Sequence, residues 1–243
     1  MERTLRALSA ALLALLLLTA CDPRPAHECI ADDMRHAFAD PRLNYCVEKY
    51  GDEFTVSDTG DVRSTRFGGM QVYLQWDEEE KTYKDGYLVH LREEDLLSLL
   101  TPIAASVFDE YRLCLSPYLV CPSSFDRDTT AWELLRVTVL DDTAYGPAVQ
   151  IFLYTTAEAS NREMDMAALR DALWVEDYAL RVNLYYVTAE SFSSVSREAH
   201  RSGALLNLPY RCRLAFTIEP DEFRLSRAFY CCNEEAEASE SEE

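Results

Sequence analysis

The chain has 243 residues, of which 48% are hydrophobic and 11% aromatic; this is a globular composition, long enough for one large or two small domains. Its formal charge is −20, from 43 acids against 23 lysines and arginines. That balance excludes nucleic-acid binding, which needs clustered cations along a phosphate backbone, and disfavours direct binding to anionic headgroups, so that membrane attachment would come from a lipid and not from a polybasic face.

Arg3 and Arg6 precede an apolar run, Leu8–Leu18 (LSAALLALLLL), of the length of a secretory signal and too short to span a bilayer. The run ends in Leu18-Thr19-Ala20-Cys21, which resembles the lipobox of bacterial lipoproteins: an aliphatic residue, a small one, alanine or glycine, then cysteine. The resemblance implies a signal peptide over 1–20, transfer of diacylglycerol to the Cys21 sulfur, and cleavage between Ala20 and Cys21. Small Thr19 and Ala20 let an extended backbone enter a peptidase groove. Acyl chains contribute about 0.8 kcal/mol per buried methylene, so two or three of them anchor stably where a single myristoyl is marginal. The expected location is therefore the extracytoplasmic face of the cell membrane, with the membrane engaged through the lipid on Cys21. Asp22 resembles an inner-membrane retention signal in two-membrane bacteria and carries no meaning in a one-membrane host. No later apolar stretch reaches the length of a spanning helix.

Residues 21–28, with two prolines, read as a tether. From Cys29 to Tyr50 the apolar residues have helical spacing, interrupted at Asp40-Pro41, where Pro41 opens a second helix and Gly51 stops it. Phe54–Val56 and Met70–Trp76 read as strands, and Lys84-Asp85-Gly86 as a turn. Leu91, Leu96, Leu97, Leu100, Ile103, Val107 and Phe108 form a long helical face in which Pro102 either kinks one helix or starts another after Thr101, and Arg112–Leu115 a returning strand. The polar loop 117–130 suggests a boundary between an N-terminal unit, 29–121, and a C-terminal unit, 131–232.

In the second half, Leu134–Leu140, Val149–Thr155 and Leu180–Thr188 read as strands, Met164–Trp174 as a helix, and Ser191–His200 as a shorter helix capped by Ser191. Arg211–Ile218 and Phe223–Tyr230 form a hairpin around Glu219-Pro220-Asp221, with Cys212, Leu214, Phe216 and Ile218 on one face. The tail 233–243 is rich in glutamate and predicts disorder. Irregular alternation of helices and strands predicts an α+β fold with mainly antiparallel sheets and packed helices. Gln71-Val72-Tyr73-Leu74 and Gln150-Ile151-Phe152-Leu153 are alike, which hints at two similar small units; coincidence explains the likeness equally well.

Tyr45–Phe54 (YCVEKYGDEF), followed by Asp85-Gly86-Tyr87 and a long helix, is similar to a pattern in uncharacterised lipoproteins of one-membrane bacteria. The resemblance covers a minor part of the chain and brings no activity with it. It implies the α+β class and a one-membrane host.

Beside Cys21 there are Cys29, Cys46, Cys114, Cys121, Cys212, Cys231 and Cys232, an odd set that leaves at least one unpaired. An exported location permits disulfides, and six cysteines pair in 15 ways. Cys114 with Cys121, closing a small loop around Pro117, is the first predicted disulfide; Cys212 with Cys231 or Cys232 across the hairpin is the second. In an anaerobic host all would stay buried thiols. The spacings do not suit zinc, and no acidic cluster has the calcium-loop pattern, so no metal and no cofactor are expected.

His90 near Glu93 and Glu94 is the candidate acid–base group, although a histidine beside acids is more often a surface residue. No nucleophile elbow, metalloprotease helix, P-loop or dinucleotide fingerprint occurs. The sequence therefore points to a non-enzymatic binding or interaction module, its partner a membrane protein or a small molecule. The rival is a tethered hydrolase of envelope polymers using His90, Glu93 and Glu94. A solute-capturing transporter subunit is disfavoured, because the parallel-sheet signal of such receptors is missing.

Overall fold

The computed structural model describes residues 40–140 and 145–226, and the backbone of 231–232. The leader, Cys21, the tether, Cys29, the first helical pattern, the end of the last predicted strand and the acidic tail lie outside the described residues. Contacts divide the chain into a unit ending at Asn44 and a second from Tyr45 to Glu243.

In the first unit, the Asp40 carboxylate accepts the Arg42 backbone N–H at 2.9 Å and also its guanidinium, which holds the carboxyl below its ordinary pKa. This caps helix α1 (Pro41–Tyr50) with proline in its first position, as read from the sequence. Gly51 ends it, with φ +101° and its N–H donated to Val47 O at 2.8 Å.

Strands β1 (Phe54–Val56), β2 (Val62–Ser64) and β3 (Met70–Gln71) form a small antiparallel sheet, and β4 (Leu74–Asp77) pairs with β5 (Thr82–Asp85). The strand predicted over Met70–Trp76 thus divides between two sheets, because Val72 is buried and gives its N–H to Val62 O at 2.8 Å while Tyr73 points outward. Next come α2 (Tyr87–Leu91) and α3 (Glu93–Ala105). The single long helical face is therefore two helices, separated at Arg92. Pro102 continues within α3.

Strand β6 (Tyr111–Pro117) leads to helix α4 (Ala131–Leu134), strands β7 (Thr138–Leu140) and β8 (Tyr145–Pro147), and strand β9 (Val149–Thr155). Leu134 was predicted to begin a strand and instead ends α4. The cause is a capping box: Thr130 Oγ1 accepts the Glu133 N–H at 3.2 Å, and Glu133 accepts the Thr130 N–H at 2.7 Å. Helix α5 (Arg162–Val175) and strand β10 (Leu180–Tyr186) follow, then α6 (Ala189–Ser193) and α7 (Arg197–Arg201). One helix capped by Ser191 was expected here. Two short ones occur, capped by Thr188 and Ser196. Strands β11 (Cys212–Glu219), β12 (Glu222–Leu225) and β13 (Cys231–Cys232) complete the described elements, with the hairpin at Pro220-Asp221 as predicted.

The main sheet runs β12-β11-β10-β9-β6, with β13 also on β11. Among the described strands of this sheet only the β9–β10 pair, joined through α5, is parallel. The fold is α+β with mainly antiparallel sheets. β6 precedes the 117–130 loop and pairs with β9 beyond it, so one sheet joins the two predicted halves. The two similar tetrapeptides occupy different settings, one between two small sheets and the other inside β9.

Strand alternation separates the faces of this sheet. Leu113, Ile151 and Leu153 meet Leu100 and Ala104 of α3 and Leu169 and Leu173 of α5 around a void of about 10 Å³. Fully burying each such leucine contributes about 1.5–3 kcal/mol. Leu180, Val182, Leu184, Leu214, Phe216 and Ile218 share this face through the strand register and are fully buried. On the opposite face, Cys114, Tyr154, Val187, Phe192 and Val195 form a second cluster against Phe152, Tyr185 and Tyr210.

The predicted Cys114–Cys121 disulfide does not form; both are buried thiols. Three residues of strand carry the chain about 10 Å from Cys114 to Pro117, the pairing continues as Tyr118 donates to Ala148 O at 2.9 Å, and Cys121 then donates to Asp85 O at 2.8 Å. A disulfide needs Cα atoms within roughly 7 Å. Burial pushes the two thiols up to about 11 and about 12. Cys212, of the second predicted pair, is disulfide-bonded, and the register sets Cys232 opposite it.

Candidate functional site

Two clusters of chemistry-bearing side chains occur in the second unit. One is closed and the other is open.

The closed cluster centres on Asp85, at the end of β5 and fully buried. Its carboxylate accepts from Tyr45 Oη at 2.7 Å, Lys49 Nζ at 3.0 Å, Tyr50 Oη at 2.9 Å and the Tyr87 backbone N–H at 2.8 Å. Tyr45 and Lys49, four residues apart, share a helix face, and Tyr50 reaches Asp85 from the last residue of the helix. Burial, and then the Asp85 charge, raise the Tyr45 and Tyr50 hydroxyls far above their ordinary value. Both remain protonated donors. A side chain at Gly86 would meet Pro117 Cβ at 2.5 Å, so only glycine lets the hairpin and β6 approach. With both carboxylate oxygens occupied by buried and half-buried donors, this cluster is a staple. It explains the physical content of the YCVEKYGDEF and Asp85-Gly86-Tyr87 segments.

The open cluster is a groove of about 560 Å³ lined by Arg63, Arg66, Phe67, Gly68–Gly69, Glu198 and Arg201, among others. After β2 the chain reverses through Thr65–Gly69, where Gly68 and Gly69 have φ +64° and +84°, conformations that other residues rarely adopt. The reversal is held by Gly69 N–H to Ser64 O at 2.9 Å and by Arg63 Nη1 to Gly69 O at 3.0 Å. It projects Phe67, whose ring lies 5.6 Å from Tyr87 and 6.3 Å from His90. The guanidinium carbons of Arg66 and Arg201 each lie 5.6 Å from that ring. Tyr87 in turn packs edge-on against Tyr50 and Phe54 at 5.0 Å each. The aromatic chain thus ties the groove wall to the Asp85 staple.

Carboxylates set the posture of the groove arginines. Arg63 lies 3.8 Å from Asp61, Arg66 lies 3.6 Å from Glu53, and Arg201 is hydrogen-bonded to Glu93. A guanidinium carries five N–H donors, more than the one or two these contacts use. The arginine side chains remain 40%, 51% and 28% exposed. In a chain of charge −20, three arginines line this one wall, each paired with a carboxylate and each keeping guanidinium donors beyond that pair.

The sequence-predicted acid–base residues stand behind this groove, in other roles. Glu93 is buried and paired with Arg201; Glu94 is exposed and paired with Arg197. Burial, with the Arg201 and His200 charges, lowers His90 to about 4. His90 is neutral near pH 7, faces Phe67, and has no hydrogen bond to Glu93 or Glu94. The three residues are brought together, but not as a proton-transfer set. No group of three potential metal ligands occurs among the described residues, and no described helix is long and apolar enough to cross a membrane. The arginines went unread in the sequence because no basic stripe exists. The available signal was local: Arg63-x-x-Arg66 beside two glycines, and Arg197-x-x-x-Arg201 on one helix face.

No protein-family profile and no curated protein matches this chain. Among solved structures, it is similar to a DUF5037 family protein from Ruminococcus gnavus, with 16% identity and a TM-score of 0.37, covering 75% of this chain and 92% of that one.

Proposed function

We propose that this chain is an extracytoplasmic lipoprotein, held on the cell membrane by the lipid on Cys21, that binds a ligand or partner in the arginine groove without turning it over. The Leu18-Thr19-Ala20-Cys21 motif supports the anchor. The binding reading rests on one observation: a cavity of about 560 Å³, within the range of small-molecule sites, is walled by partly exposed guanidinium groups while Glu93 and Glu94 are held in ion pairs. Arginine ion pairs of this kind orient donors; they leave no base poised beside a nucleophile.

The test is capture from gently solubilised membranes by the lipidated protein, with Cys21→Ser as the unanchored control and Arg66→Glu as the groove control. A companion or ligand that is retained by the parent and lost with Arg66→Glu is the expected result. Turnover of an envelope-polymer substrate that His90→Ala abolishes, at unchanged melting temperature, would overturn the proposal in favour of a tethered hydrolase.

A further inference from the structure

We infer that the groove takes a polyol phosphate, the chemistry of glycerol phosphate or a sugar phosphate, with the phosphoryl oxygens held by Arg63, Arg66 and Arg201 and the organic body laid along Phe67. This rests on the groove being the binding site proposed above. A carboxylate has two oxygens in one plane, which a single guanidinium satisfies as a fork. Here three guanidinium groups line one cavity: Arg63 on β2 and Arg66 on the reversal that follows it, and Arg201 on α7. Donors from three separate guanidinium groups exceed what a planar carboxylate can accept and suit the larger set of acceptor oxygens on a phosphoryl group.

All three cations are arginine rather than lysine, which suits multidentate recognition of phosphate more than a point-charge contact. The surrounding field is strongly negative, so an anion is not drawn in by long-range steering and must be held by charge-assisted hydrogen bonds at short range. Volume and composition set the rest of the ligand. A cavity of about 560 Å³ exceeds what a lone phosphate fills, Phe67 and Met70 supply apolar wall, and Gln71, Glu198 and Ser202 offer hydrogen bonds for hydroxyls. At Gly68 and Gly69 an added Cβ would have nothing within 4 Å, so that wall stays open for the ligand to enter.

The experiment uses the full chain carrying Cys21→Ser, so that no lipid tethers it to a vesicle, and three probes: sn-glycerol 3-phosphate and tricarballylate by calorimetry, and phosphatidylglycerol vesicles by flotation. The variants are Arg66→Gln and Arg63→Gln, at side chains 51% and 40% exposed, whose folding is checked by melting temperature. Arg201→Gln is avoided because it strands buried Glu93. Saturable binding of glycerol 3-phosphate, weakened at least tenfold in each variant and at least tenfold tighter than tricarballylate, is expected. Binding of vesicles alone, lost in both variants, also supports the inference and identifies the source as a lipid headgroup. Tricarballylate bound as tightly as glycerol 3-phosphate, or phosphate binding untouched by both substitutions, overturns the phosphate assignment. Binding of neither phosphate probe overturns it too; capture that still depends on Arg66 would then leave the groove as a binding site for another ligand.

Discussion

Replacing Asp85 with alanine should unfold this protein more readily than any single change at the groove. The substitution removes the acceptor of four donors, Tyr45 Oη, Tyr50 Oη, Lys49 Nζ and the Tyr87 N–H. It also strands a lysine whose side chain is 10% exposed. Breaking a buried pair by deleting one partner costs about 3–5 kcal/mol, mostly because the survivor stays buried without compensation. For a domain of about 150–250 residues each kcal/mol moves the melting temperature by about 2–4 °C, giving a fall of roughly 6–20 °C. Urea denaturation should show a lower midpoint at an unchanged m-value. Asp85→Asn keeps an acceptor for the Tyr87 N–H and should fall between parent and alanine variant. A double-mutant cycle with Lys49→Met should return a coupling of about 0.5–3 kcal/mol. A loss below about 1 kcal/mol in Asp85→Ala, or strict additivity with Lys49→Met, would refute the reading of this cluster as a staple.

Two further changes test the packing and the titration of the fold. Gly86→Ala places a methyl 2.5 Å from Pro117 Cβ and 2.9 Å from its Cγ; the rigid ring cannot give way, so a loss of about 1–3 kcal/mol is expected from overpacking, and a neutral result by urea titration would show that β6 can shift. His90 and His200 are both lowered by burial from 6.5 to about 4. A lowered histidine means that the unfolded chain binds protons the folded one refuses. Stability should therefore fall as pH drops from 6.5 towards 4, each histidine adding a slope of about 1.4 kcal/mol per pH unit where only the unfolded form is protonated. His90→Phe should make the slope of urea midpoints between pH 6.5 and 5 shallower than the parent's; identical slopes would contradict burial of a neutral imidazole.

Elements whose cause is local were readable in the chain. Pro41 opens a helix because its fixed φ and missing N–H suit the first turn, and Gly51 closes it because it adopts φ +101°. Val149–Thr155, the strand read over Leu180–Thr188, which ends at Tyr186, and the hairpin at Pro220-Asp221 follow from β-branched and aromatic residues bounded by turn residues. The Thr130-x-x-Glu133 capping box was equally local, and the apolar residues after it masked it as a strand. The lipidation proposed at Cys21 likewise rests on contiguous residues, Leu18-Thr19-Ala20-Cys21.

Tertiary structure decided everything that depends on convergence. Cys114 and Cys121 are near in sequence, yet an extended strand between them carries them to separate neighbourhoods. Arg66 and Arg201 are remote in sequence, yet both stack on Phe67. Glu93 looked like a partner for His90 because it lies three residues away, and the arrival of α7 gave it Arg201 instead. Short-range sterics and apolar periodicity write helices, turns and strands into neighbouring residues; which strand pairs with which, and so which side chains share a cavity, depends on burying one face of the whole sheet at once, and that the chain settles only by folding.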